Sequence, residues 1–231
     1  MALIASKLCP VCGTGKTAGR DGLLQCHACL HVFQYPPEIS ISYDSTYISG
    51  FGVRPEEAMS CLRVGFIKGM IPGGKLLDVG FGTGAFIKIA MNAGFDAFGY
   101  DIHGEDFGVR RAPLCGADSW DVVTFFDSLE HFSEFGEIRS LSKRARLLVV
   151  SVPKTPVDLL TNRQWRHYKP GEHLHYFCEQ SLAALFSPMR AIVSSDLEDA
   201  VRGNLDGSQN ILTMVFAQST PVGQNNHDNP H

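Results

Sequence analysis

Apolar positions in this chain fall into two patterns that take turns along its length. Leu76-Leu77 with Val79, Val122-Val123 with Phe125-Phe126, and Leu147 through Val152 are short, nearly unbroken runs. Such runs mark strands buried on both faces of a parallel sheet. Between them the spacing changes to that of helices. Met59, Leu62, Phe66, Ile67 and Met70 recur on one helical face, as do Phe86, Ile87, Ile89 and Ala90. Pro55-Glu56-Glu57 predicts a helix start, with proline in the first turn and acids beside the positive helix end. The elements read in order as a helix from 55, strand 75–79, helix 84–93, strand 96–100, strand 122–126, helix 134–143 and strand 147–152, which Pro153 stops. A helix over 178–186 and strands 191–195 and 211–217 follow. Alternating strands and helices predict an α/β, doubly wound and mostly parallel sheet.

Both ends fall outside that pattern. Residues 1–36 are rich in turn glycines, and Tyr35-Pro36-Pro37 opens a linker over 37–54. Residues 218–231 carry proline and asparagine without apolar periodicity and are expected to be a disordered tail. The main domain is therefore expected over 55–217.

Bulk numbers narrow the classes. The 231 residues are 44% hydrophobic and 19% charged, a composition that fills one ordinary core. A net charge of −4 gives no global attraction to nucleic acid or anionic membranes. No apolar run approaches the roughly 20 residues of a membrane helix, and the first residues lack the build of a secretory signal. A cytoplasmic protein is the expectation.

The seven cysteines divide four and three. Cys9-Pro-Val-Cys12 and Cys26-His-Ala-Cys29 are two C-x-x-C knuckles, able to bring four thiolates to the corners of a tetrahedron around a structural Zn²⁺. Gly13 permits the tight turn after the first knuckle, and Leu23-Leu24-Gln25 reads as a short strand. A module this small would draw its folding energy from the ion. A redox dithiol pair is the alternative, and His27 and His31 are competing ligands. Cys61, Cys115 and Cys178 read as small core residues. Lys7, Lys16 and Arg20 leave contact with nucleic acid open, though a solvated face is the simpler reading.

The strand at 75–79 runs straight into Gly80-Phe-Gly82-Thr-Gly84 and a helix. Glycines let a ligand lie against bare backbone, at the carboxyl end of a strand, beside the free N–H groups of a helix start. Gly80-x-Gly82-x-x-Ala85 formally meets the dinucleotide fingerprint. Asp78 argues against a pyrophosphate, because a carboxylate beside the turn repels phosphate and attracts an ammonium group. Asp101, at the end of the next strand, is placed to accept hydrogen bonds from ribose hydroxyls. A ribose with a cationic amino acid end and no phosphate describes S-adenosylmethionine.

Leu76–Phe86, Gly99-Tyr-Asp101 and Trp120-Asp-Val-Val-Thr-Phe-Phe-Asp-Ser-Leu-Glu-His131 together resemble the class I S-adenosylmethionine-dependent methyltransferases. The resemblance is nearest to a group with a cysteine-rich start and a late Glu-His-Leu-His-Tyr-Phe segment, here Glu172 to Phe177. It implies a Rossmann-like seven-strand sheet closed by an antiparallel hairpin. It also implies that Asp78, Gly80, Gly82, Gly84, Asp101 and Ile102 hold the cofactor, and that Asp127, Ser128 and His131 line its sulfonium and the substrate. Tyr43 and Tyr47 would fold over both as a lid. The stretch between Asp101 and Trp120 is shorter than the family's usual third-strand region. Asp118 and Trp120 remain as candidates for the adenine.

The segment 154–177 gathers Trp165, His167, Tyr168, Glu172, His173, His175 and Tyr176 without core periodicity, which points to a substrate-facing insertion. His173 and His175 would point the same way if extended. They are read as acceptor-side groups, with Glu172, His173 and His175 as a rival metal set. Where the acceptor is a hydroxyl or an activated carbon, a base must take its proton. His131, His173 and His175 are the candidates, with Tyr43 assisting. The expected function is methyl transfer to a small-molecule or sugar-nucleotide acceptor. The alternatives are a nucleic-acid-directed methyltransferase, a non-catalytic zinc-ribbon binding protein on a Rossmann-like scaffold, and a nicotinamide oxidoreductase.

Overall fold

A six-stranded sheet carries the molecule. The computed structural model describes residues 7–40, 56–102, 108–161, 163–204, 207 and 209–218. Its first elements are β1 (Thr17–Arg20), β2 (Leu23–Cys26), β3 (Val32–Gln34) and helix α1 (Glu56–Lys68). Then come β4 (Gly74–Val79), α2 (Ala85–Asn92), β5 (Phe95–Tyr100), β6 (Trp120–Phe126) and α3 (Gly136–Ser142). The chain closes with β7 (Ala145–Pro153), β8 (His175–Tyr176), α4 (Glu179–Leu185), β9 (Arg190–Ser195) and β10 (Ile211–Ala217). The large sheet has the order β5-β4-β6-β7-β10-β9. β4, β5, β6 and β7 pair in parallel, and β10 runs antiparallel to both β7 and β9.

Successive side chains of each strand go to opposite faces, and the apolar runs use both. Leu76, Val122 and Val149 pack with Val64 and Ile67 of α1 and Phe86, Ile87 and Ala90 of α2. Leu77, Val123 and Val150 pack with Ile138 and Leu141 of α3 and Leu182 and Leu185 of α4. On α1 the buried stripe is Ser60, Val64 and Ile67. The face expected from Met59 and Leu62 is rotated, because α1 turns Arg63 inward toward carboxylates described below.

The cysteine-rich start is joined to the rest. β1, β2 and β3 form a second sheet whose fourth strand is β8, from the segment after β7. Val32 pairs with Tyr176 and Phe33 with His175. Cys9, Val11, Leu24, Cys26 and Cys29 share the core cluster of α3 and α4. Arg139 of α3 donates to the carbonyls of Pro10 and Val11, within the first knuckle.

Among the described residues the large sheet stops at six strands. Beyond β5, Arg111 makes a single parallel bridge to Gly99. The Gly99 amide donates to Arg110 O at 2.8 Å, and the Ala112 amide to Gly99 O at 3.0 Å. The stretch after Asp101, expected to be shortened, thus supplies one rung at the place of the family's usual third strand. Cys61 and Cys115 are exposed and Cys178 is half-buried, against the expectation of core positions. The Cys178 thiol instead faces the Cys29 carbonyl at 3.9 Å.

Candidate functional site

In this sheet order the chain leaves β4 for β5 on one side and returns to β6 on the other. The carboxyl ends of β4 and β6 therefore border a switch point, the place where open parallel sheets bind ligands. Asp78, Asp101 and Asp127 stand at the ends of β4, β5 and β6, three neighbouring strands.

The turn after β4 is bare backbone held tightly. Gly80, Gly82 and Gly84 have φ of 85°, 54° and 76°. A Cβ on Gly80 would lie 2.4 Å from the Cβ of Ser128. The Ser128 hydroxyl donates to Val79 O at 2.6 Å, which presses the turn against the end of β6. The Gly82 amide donates to an Asp101 carboxylate oxygen at 3.1 Å, and the Thr83 hydroxyl bonds Glu56 at the start of α1. Asp78 is buried and accepts the Thr124 hydroxyl at 2.7 Å. Burial pushes its carboxyl up to about 6, against the pull of Thr124 and Arg63. Ile102, beside Asp101, is 70% exposed, an apolar side chain turned to solvent at the strand end.

Asp118 and Trp120 are not part of this site. β6 runs parallel to β4, so Trp120 begins it at the end of the sheet opposite the glycine turn. Asp118 is exposed and pairs with Lys75 at 2.8 Å, and Trp120 is buried edge-on against Phe98. The adenine expectation for these two residues is corrected by that direction. A cleft of about 380 Å³ lined by Ser119, Asp121, Lys143 and Arg146 is also at that far end.

Asp127, its side chain 36% exposed, takes a positive φ of 53° and joins a lattice of charges whose other members are largely buried. Arg63 donates to both oxygens of Glu198, at 2.7 and 2.8 Å, and to Asp127 at 3.0 Å. Arg202 bonds the same two carboxylates, at 2.6 Å to Glu198 and 2.5 Å to Asp127. The Arg63 guanidinium also lies 4.2 Å from the centre of the Phe126 ring. Burial alone would raise the Asp127 carboxyl, but Arg202 and Arg63 hold it well below the usual carboxylate range. Sequence reasoning missed Arg63, Glu198 and Arg202. The one local signal was the i, i+4 spacing of Glu198 and Arg202.

The four histidines of interest separate into two pairs. His131 and His173 meet edge to face, with ring centres 4.9 Å apart. His131 Nδ1 donates to Glu172 O at 2.8 Å. Glu130, fully buried beneath them, is pushed up to about 8 by burial and by Asp127. Burial lowers His131, and lowers His173 to about 3. His175 goes elsewhere. Its Nδ1 bonds His31 Nε2 at 3.0 Å, and its ring lies 4.6 Å from that of Phe135. Burial takes His175 down to about 3 as well. His173 and His175 thus face different neighbours and do not act as one pair. Glu172 binds Lys169 at 2.8 Å. Tyr43 and Tyr47 lie outside the described residues.

Cys9, Cys12, Cys26 and Cys29 bring their sulfurs within 4.8 Å of one another. Cys9 and Cys29 are 3.7 Å apart, and Cys12 and Cys26 3.5 Å. A tetrahedron with metal–sulfur bonds of about 2.3 Å has edges of about 3.8 Å, close to these two spacings, so the cluster is of a size to hold Zn²⁺. The Cys29 thiol, with the amides of Cys12 and Val11, draws the Cys9 thiol down to about 5, opposed by burial. His27 is exposed, and His31 is engaged with His175.

The sheet order and the bare turn at its switch point define a Rossmann-like, cofactor-binding class of protein. The sequence profile of a methyltransferase-domain family matches residues 63–188, more than half of the chain, and the chain belongs to that family. Solved S-adenosylmethionine-dependent methyltransferases share the fold. One from Clostridium acetobutylicum superposes with a TM-score of 0.55, covering 73% of this chain and 94% of its own at 9% identity. One from Archaeoglobus fulgidus gives 0.55, with 77% and 100% covered at 16% identity. The 1,6-didemethyltoxoflavin-N1-methyltransferase of Burkholderia thailandensis gives 0.56, with 82% and 96% covered at 14% identity. At these identities the likeness is one of fold. No curated protein matches the sequence.

Proposed function

We propose that the protein transfers a methyl group from S-adenosylmethionine to a small-molecule acceptor, and that a structural Zn²⁺ sits in its four-cysteine cluster. The observation that carries this reading is the bare glycine turn at the switch point between β4 and β6, held so close to β6 that a Cβ on Gly80 would lie 2.4 Å from the Cβ of Ser128. Asp101 and the Gly82 amide, already bonded to each other, form the ribose end, with Ile102 as apolar cover. Asp78 supplies negative potential on the amino acid side, while Asp127 is neutralised by Arg63 and Arg202. S-adenosylmethionine brings a methyl group on a positively charged sulfur, so the chain need build no electrophile. Its residues must hold the acceptor in line and receive the acceptor's proton.

Positioning of this kind contributes roughly 7–11 kcal/mol at best. His131, His173 and Glu130, just past the end of β6, are the groups we assign to the acceptor side. His175, bonded to His31, supports that wall from behind. A small acceptor is favoured over nucleic acid because this side is made of buried imidazoles and rings. The basic residues of the ribbon are partly engaged within the protein: Arg20 donates to Leu160 O at 3.1 Å, and Lys7 lies 5.0 Å over the Tyr35 ring. Among the described residues, no helix is long and apolar enough to cross a membrane.

Asp101→Ala tests the reading. Calorimetry should record at least a tenfold loss of S-adenosylmethionine affinity, with zinc content unchanged. Undiminished affinity overturns the assignment of the cradle.

A further inference from the structure

Three side chains able to bind a cation converge beyond β6. Glu130, His131 and His173 each bring one donor atom to within 4.8 Å of the others. The first two come from the turn after β6 and the third from the segment leading into β8, so tertiary structure assembles the set. Two polar atoms on these side chains have no hydrogen-bond partner, Glu130 Oε2 and His173 Nδ1. Their residues are 2% and 4% exposed. A buried polar atom left unpaired is costly, so two in one cluster call for a ligand. His131 is already oriented for one. Its Nδ1 faces a carbonyl oxygen, which can only accept, so Nδ1 carries the proton and the lone pair is on Nε2. A backbone carbonyl behind an imidazole is the usual support of a metal-binding histidine.

We propose that Glu130, His131 and His173 bind a divalent transition-metal cation that takes the oxygen of a hydroxyl-bearing acceptor as a further ligand. This deepens the methyl-transfer reading and rests on it for the role of the acceptor. One carboxylate and two imidazoles suit Mn²⁺, Fe²⁺, Co²⁺ or Zn²⁺ and leave coordination positions open. The cysteine cluster, all thiolate, is a separate site of softer character. On the cation the acceptor O–H gives its proton to solvent. The oxygen lone pair then forms the O–C bond while the S–C bond breaks, and sulfur keeps that electron pair as a neutral thioether. The site takes over the proton-removing task that neutral, buried imidazoles would otherwise perform alone.

The test uses the full chain with its zinc retained, titrated with Mn²⁺ alone and followed by electron paramagnetic resonance. Wild type should bind Mn²⁺, and Glu130→Gln and His173→Ala should each bind it roughly tenfold or more weakly. Circular dichroism and S-adenosylmethionine affinity on the same samples establish that the variants fold. Should either fail to fold, Co²⁺ absorption of the wild type decides. A second ion with nitrogen and oxygen ligands, lacking thiolate charge-transfer bands, supports the site. Absence of Mn²⁺ binding, or equal binding in wild type and folded variants, overturns it and leaves ordered water as the partner of these atoms. Cofactor affinity is read independently, so loss of the methyltransferase reading and loss of the cation site are distinguishable.

Discussion

Arg63→Met removes one cation from a largely buried set of two arginines and two carboxylates. Glu198 is fully buried and accepts from Arg63 through both oxygens, so the variant leaves the set with an excess negative charge. Breaking a buried ion pair from one side costs about 3–5 kcal/mol. Arg202 still bonds both carboxylates, which places the cost at the lower end. Loss of the guanidinium over Phe126 adds about 0.5–1 kcal/mol. For a chain of this size each kcal/mol shifts Tm by about 2–4 °C, so scanning calorimetry should show a fall of roughly 7–16 °C. The double variant Arg63→Met, Glu198→Met removes charges as a pair and should be less destabilised than the sum of its singles by about 1–3 kcal/mol. The acid side provides a second reading. The folded Asp127 carboxyl is held below its unfolded value, so its contribution is present above about pH 4 and is lost as pH falls further. Arg63→Met should flatten that acid limb. Additive singles, or a Tm shift below a couple of degrees, would refute the claim that these four charges act as one unit.

Gly80→Ala should weaken S-adenosylmethionine binding more than Gly82→Ala. Both require a left-handed residue, at about 1–2 kcal/mol, but only Gly80 has Ser128 at 2.4 Å, whereas nothing lies within 4 Å of a Cβ on Gly82; equal losses by calorimetry contradict the packing argument. Cofactor affinity should rise as pH increases from about 5 to 7. Burial pushes the Asp78 carboxyl up to about 6, and a cationic ligand selects its ionised form, so binding releases a proton; Asp78→Asn should remove this dependence, and a wild-type affinity independent of pH would reject it. In the unliganded protein the same raised value has the opposite sign for stability, present below about pH 4 and lost by roughly 3 kcal/mol as pH rises through 6. Arg139→Ala, which frees the carbonyls of Pro10 and Val11, should speed zinc loss to a chelator while cofactor affinity stays unchanged; an unchanged rate speaks against α3 bracing the knuckle.

Much of the sheet was legible because its signals are local. Unbroken runs such as Leu147 to Val152 have no use except burial on both faces, and the Gly80–Gly84 turn announces itself by composition. The register of Asp78 and Asp101 to the turn follows from strand length alone. What stayed hidden depends on partners distant in sequence. Arg63 sits on a helix whose apolar spacing points to Met59 and Leu62, and only Glu198, 135 positions on, explains why the helix rotates to bury it. Asp118 and Trp120 resembled cofactor contacts because nearness to a strand does not reveal which end of it faces the ligand. His173 and His175 share an alternation that an extended strand would keep on one side, yet β8 begins only at His175, after the chain has turned.

That turn explains how the cysteine-rich start is built into the rest of the molecule. β8 is two residues long, too short to hold the insertion by itself, and it is held from outside. β3 pairs with it, the Gln34 amide donates to Leu174 O at 2.9 Å, and the Gln34 side chain accepts the Gly171 amide at 3.0 Å. On its other side Leu174 donates to Glu130 O at 2.9 Å, which connects the same strand to the turn after β6. The cysteines fix β2 and the approach to β3, β3 fixes residues 171–176, and those residues fix His173 against His131. A side chain aimed by a loop is imprecise unless something rigid stands behind it. Here the rigid body is the four-cysteine cluster, and the proposed acceptor side, His131 and His173, is built on it.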